Sequence, residues 1–203
     1  SLRTIDLEAG GKAQFASLGG PFRVDLRTFK LGATQVSGSI ARDKAGRYRI
    51  EIKGPGFDVA PLLRFDDDAG STMPPMTIKA DLGRVWFSTG LPVDKVVGRL
   101  DYDGENWSNF ELAGVIEKKH RLRLRMGREG NFRSLDLRST DGGALLRTLG
   151  LIETVRGGKL KLTGSRPNSP SGAPWKGSLV ISDFRVVDAP LLARVLALAS
   201  FPG

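Results

Sequence analysis

Hydrophobic and polar residues alternate along most of this chain. In RYRIEIKG, Tyr48, Ile50 and Ile52 fall on one side of an extended backbone, and Arg47, Arg49, Glu51 and Lys53 on the other. MTIKADL repeats the pattern with Met76, Ile78, Ala80 and Leu82, and VGRLDYD with Leu100 and Tyr102. NFELAG sets Phe110 and Leu112 against Glu111. RLRLRM is the cleanest case, with Leu122, Leu124 and Met126 opposed to Arg121, Arg123 and Arg125. SLDLRS, GKLKLTG and GSLVIS add Leu135 and Leu137, Leu160 and Leu162, then Leu179 and Ile181. FRVDLRTF and TQVSGSIA are compatible with the same period. A period of two predicts antiparallel strands with one dry face and one wet face. Turn signals such as DKAG, DGEN and GREGN separate the runs, giving about ten to twelve strands.

About three short helices interrupt this texture. FDVAPLLR and VVDAPLLAR each place an Asp ahead of a Pro and a Leu pair, and STDGGALLR is a looser echo. Asp58, Asp141 and Asp188 suit N-caps, because a carboxylate there accepts otherwise unpaired amide hydrogens. Pro61 and Pro190 are tolerated in a first turn. The stretch 141–158 accommodates one longer helix or two short ones broken at Gly150, with Gly157 and Gly158 as the stop. The stretch 163–174, TGSRPNSPSGAP, reads as a mobile excursion between strands.

A sheet of this size has an apolar face that three short helices do not cover. It must close into a barrel, pack as a sandwich, or curl into a trough whose inner wall stays apolar. Periodicity leaves these open. A trough would suit a ligand with an apolar body, such as a lipid.

Composition narrows the chemistry. The chain has 203 residues, 40% of them hydrophobic and 26% charged, enough for one domain with a real core. It starts at Ser1 without a signal peptide or membrane-spanning run, and its longest apolar run, 191–201, is short and carries Arg194. It reads as a single segment, 1–203, of a longer protein with any anchor outside it. There is no cysteine, so disulfides, thiolate metal sites and cysteine nucleophiles are excluded. His120 is the only histidine and reads as a surface residue of a basic strand. Asp66, Asp67 and Asp68 lack calcium-loop spacing and read as a solvated loop. No glycine run matches a phosphate loop or a dinucleotide fingerprint. No catalytic, metal or cofactor site is expected. The net charge of +9 favours anionic partners. Arg121, Arg123 and Arg125 are the candidates for contact with anionic headgroups or an acidic partner. No aromatics interleave with them to stack bases, which disfavours nucleic acid.

The C-terminal third carries a likeness. LRSTDGGALLRTLGLIETVRGGKLKLTG followed by WKGSLVISDFRVVDAPLLARVLALAS resembles the C-terminal region of the AsmA-like family, the group that includes TamB and YhdP. The likeness is strongest over 135–203, and GFDVAPLLR echoes another phrase of that family. The resemblance implies a mainly β fold: a long, antiparallel, curled (U-shaped) sheet forming an apolar groove. It implies a periplasmic protein of a Gram-negative bacterium, held at the inner membrane through a segment outside this chain. The implied role is that of a bridge carrying phospholipid between inner and outer membranes, supporting outer-membrane integrity. Candidate groove residues are Ile50, Ile52, Ile78, Phe110, Leu112, Leu122, Leu124, Leu135, Leu137, Leu160, Leu162, Leu179 and Ile181. The alternative is a non-transport envelope scaffold that binds another protein through its basic face or its sheet edges.

Overall fold

Eleven strands and one helix account for nearly all of the chain that the computed structural model describes, namely residues 7–15, 20–60, 73–87, 91–168 and 173–187. The strands are β1 (Leu7–Phe15), β2 (Phe22–Leu31), β3 (Thr34–Arg42), β4 (Tyr48–Asp58), β5 (Met76–Trp86), β6 (Val93–Tyr102), β7 (Trp107–Ile116), β8 (His120–Glu129), β9 (Phe132–Ser139), β10 (Val155–Pro167) and β11 (Lys176–Val186). The helix α1 (Gly142–Thr148) lies between β9 and β10. All eleven strands join one sheet in sequence order, with β1 and β11 as its edges. Among the described residues the sheet neither closes into a barrel nor splits into a sandwich.

The sheet is mixed, which corrects the all-antiparallel expectation: β4 and β5 run parallel. A tight turn joins only antiparallel strands, and a parallel neighbour needs a crossover. The connection 59–75 supplies it, because β4, at 11 residues, returns over about 36 Å of extended chain. Tyr48 N donates to Pro75 O and Val59 N to Trp86 O, at the two ends of this ladder.

The stretch 141–158 holds one helix of 7 residues. Asp141 caps it, accepting from Ala144 N at 2.8 Å. Gly150, at φ 69, stops it: Gly150 N donates to Arg147 O and Leu151 N to Leu146 O. Gly157 and Gly158 are therefore not a helix stop. They lie inside β10 at φ 68 and 87, opposite Asp183 at φ 59, and kink the β10–β11 pair. The supposed excursion at 163–174 begins later than its composition suggested. Thr163 to Pro167 are ladder residues paired with β9. Helices proposed after Asp58 and Asp188 fall outside the described residues, although Asp58 Oδ1 already accepts from Ala60 N.

Helix α1 sits directly on β10. A side chain at Gly143 would come within 2.5 Å of Val155 O, and one at Gly142 within 3.0 Å of Leu160 Cβ. The paired glycines of DGGALL thus let the helix backbone touch the sheet. Leu145 and Ala144 are buried with Leu122, Leu160, Val93, Val96 and Ile116 in one hydrophobic cluster.

Candidate functional site

Register places all thirteen groove candidates on one face, because paired residues in adjacent strands point to the same side. Ile50, Ile78, Leu100, Phe110, Met126 and Leu135 form one row across β4 to β9. Ile52, Ala80, Gly98, Leu112, Leu124, Leu137, Leu162 and Leu179 form the next, across β4 to β11. Leu122, Ser139, Leu160 and Ile181 form a third. The first two rows contain no charged residue.

The rows are not equivalent. Leu122 and Leu160 are buried beneath α1 and belong to the closed core, and Ile52, Leu112, Leu137, Leu162 and Ile181 pack against that core. Ile50, Ile78, Phe110, Leu124 and Leu135 are only half-buried. Leu179, on the edge strand, is 57% exposed. Among the described residues the face is thus enclosed at the α1 end and only partly covered over its middle.

At the opposite end of the strands the same face changes character. Its last row runs Phe15, Phe22, Arg42, Tyr48, Met76, Tyr102 and Trp107 from β1 to β7. It resumes with Arg128, Arg133 and Arg166 across β8, β9 and β10. Trp175, just before β11, stacks on Arg166, whose guanidinium lies 5.2 Å from the ring centroid. Phe22 meets Tyr48 edge-on, Arg42 lies 5.9 Å over the Tyr48 ring, and Tyr102 packs on Trp107. Arg133 is 2% exposed and donates through Nη1 to Trp107 O at 2.9 Å. Burial, then the charges of Arg166 and Arg128, push its pKa down. An aromatic and arginine belt therefore borders the apolar rows. Sequence reading missed it because its members come one per strand from distant positions; only register assembles them.

Arg121, Arg123 and Arg125 project from the other face, away from the apolar rows. That wet face is uneven. Glu51, Lys79, Arg99, Glu111, Arg125 and Asp136 make a cross-strand row of mixed sign, and Arg125 Nε lies 3.8 Å from Glu111 Oε1. One row further, Arg123, Arg138 and Lys161 are direct neighbours on β8, β9 and β10. Like charges placed so repel. Arg138 is offset by Asp136 at 2.8 Å, whereas no Asp or Glu lies within ion-pair distance of Arg123 or Lys161 among the described residues. These three, with Lys95, Arg121 and Lys159, rim an open depression of about 890 Å³ floored by Ala113, Val115 and Val180.

His120 is not the surface residue expected. Its side chain is 20% exposed, and Nε2 lies 3.3 Å from Asp141 Oδ2, the carboxylate that caps α1. Asp66, Asp67 and Asp68 lie outside the described residues. Among the described residues no three His, Asp or Glu side chains gather as metal ligands, and no helix is long and apolar enough to cross a membrane. Comparison with protein-family models and with curated proteins finds no match.

Proposed function

We propose that this chain is a segment of a bridge-like lipid carrier of the AsmA-like type, its sheet curled into a groove along which phospholipid passes. One observation carries the reading. Two adjacent rows without a charged residue cross most of an unclosed sheet, and their side chains are partly buried, not fully enclosed. Acyl chains lie across these rows, each buried methylene contributing about 0.8 kcal/mol. The rows repeat from strand to strand, so neighbouring positions are nearly equivalent and a chain slides between them. No catalytic residue is needed. The placement between inner and outer membranes of a Gram-negative envelope, the periplasmic location and an anchor in another part of the protein rest on the family likeness of 135–203.

Lipid extraction and native mass spectrometry of the purified protein test this reading. Co-purifying phospholipid is expected, as is uptake of a fluorescent acyl probe by the delipidated protein. A protein that carries no lipid and takes up no probe is not a conduit. A second reading, a non-transport scaffold that docks an acidic partner, is favoured by the cation-rimmed depression on the wet face. Under it, the same experiments find no lipid, and binding to acidic protein depends on Arg121 and Arg123.

A further inference from the structure

We infer that the arginine belt at the end of β8, β9 and β10 seats the phosphate of a lipid whose acyl chains lie on the adjoining apolar rows. This inference rests on the lipid reading and adds a headgroup chemistry and a place for it. Arg128, Arg133 and Arg166 are direct cross-strand neighbours. Three like charges in a row repel, and an anion between them offsets that cost. The nearest carboxylate, Asp103 of the adjacent turn, lies 3.9 Å from Arg128 Nη2 and leaves the row with excess positive charge.

Residue choice points to phosphate. The cations of the belt are all arginine, whereas the wet-face depression mixes lysine and arginine. A guanidinium meets phosphate oxygens with a planar, two-pronged fork that an ammonium lacks. Arg133 is committed to Trp107 O and buried, so it supplies charge from behind. Arg128 is half-exposed, held only by the long 3.9 Å contact with Asp103, and Arg166 is partly exposed, so both guanidiniums are within reach of a ligand's edge. The Trp175 ring, 5.2 Å from the Arg166 guanidinium, restricts where that cation sits.

Position points to a lipid rather than to free phosphate. Met126 and Leu135 lie two residues inward along β8 and β9, about 7 Å from the arginine row, and Leu124 and Leu137 a further 7 Å on. A phosphate held by Arg128 and Arg166 thus has apolar wall immediately beside it. Tyr102, Trp107 and Trp175, each with an apolar ring and a polar atom, mark the same boundary that such residues occupy at membrane interfaces.

The test is displacement of a fluorescent acyl probe by two amphiphiles with identical acyl chains, dioleoyl phosphatidylglycerol and dioleoylglycerol, with soluble glycerol 3-phosphate as a third competitor. The wild-type protein is expected to bind the phosphatidyl lipid about tenfold more tightly than the diacylglycerol. Arg128→Gln with Arg166→Gln removes that preference and leaves diacylglycerol binding unchanged; Arg128→Lys with Arg166→Lys restores part of it. Equal affinities in the wild type, or a preference that survives in the glutamine variant, overturn the inference while the lipid reading stands. A preference lost instead on Arg123→Gln with Lys161→Gln places the phosphate on the opposite face and also overturns it. Glycerol 3-phosphate competing as well as the lipid makes the belt a site for soluble phosphate. Failure of both amphiphiles to displace the probe removes the lipid reading itself. Thermal melts of each variant establish that it is folded.

Discussion

The two ends of the apolar face are made from the same alternating strands and meet different fates. At one end Val85, Val93, Ile116 and Leu160 are almost wholly buried, with Leu145 of α1 among them. At the other, the rows stop at arginines and aromatic rings, and the residues between, such as Ile78 and Leu124, stay half-exposed. Alternation specifies which side of a sheet is dry, but not what keeps it dry. Helix α1 covers the face at one end, and among the described residues the middle is only partly covered.

Charge insertion separates the two most sharply. Ile116→Asp is expected to unfold the protein, because a carboxylate in the closed core loses its hydration without gaining a partner. Leu124→Asp is expected to keep the fold and abolish uptake of an acyl probe. Circular dichroism with probe fluorescence reads both, and unfolding by Leu124→Asp would make the middle of the face a closed core as well. Truncation gives the next largest contrast. Ile116→Ala is expected to cost about 2–5 kcal/mol in urea unfolding and Ile78→Ala about 1 kcal/mol, since a cavity penalty applies only where neighbours enclose the deleted atoms. Equal costs would erase the distinction.

Removing the helix cap is a smaller change. Asp141→Ala is expected to cost about 1 kcal/mol by freeing Ala144 N. The smallest effect belongs to the wet face. Hydrogen bonds from Arg138, aided by its charge, hold the Asp136 carboxyl below the usual carboxylate range. A depressed folded pKa contributes stability above the unfolded value, and that contribution is lost as pH falls through the folded one. Arg138→Gln should therefore raise the Asp136 midpoint toward the ordinary carboxylate range by NMR, with little change in stability at neutral pH.

Much of this was legible in the sequence. RLRLRM and GKLKLTG announced strands, and Leu124, Leu137 and Leu162 did fall in one row. The capping role of Asp141 followed from its place before GGALL. What escaped was whatever depends on pairing between strands. Arg128, Arg133 and Arg166 are unremarked in their own segments and become a belt only in register. Arg121, Arg123 and Arg125 attracted notice because they are close in sequence, yet the same alternation that revealed them sends them to the face away from the apolar rows. The parallel pairing of β4 and β5 left no local signal, since strand direction is written in the connection and not in the strand. Gly157 and Gly158 resembled a helix stop because a left-handed backbone serves a strand kink equally well.

That parallel pair also has a bearing on how the chain finds its fold. Every other neighbouring pair in the sheet is joined by a turn, a short loop or the small helix, so its contacts are local and cheap to nucleate. Only β4 and β5, whose parallel rungs pair Tyr48 with Met76 and Asp58 with Trp86, must close the length of a strand as well as the connection before their first ladder bond forms. Folding is then expected to proceed as two blocks, β1 to β4 and β5 to β11, each assembling from hairpins, with the seam between them closing last.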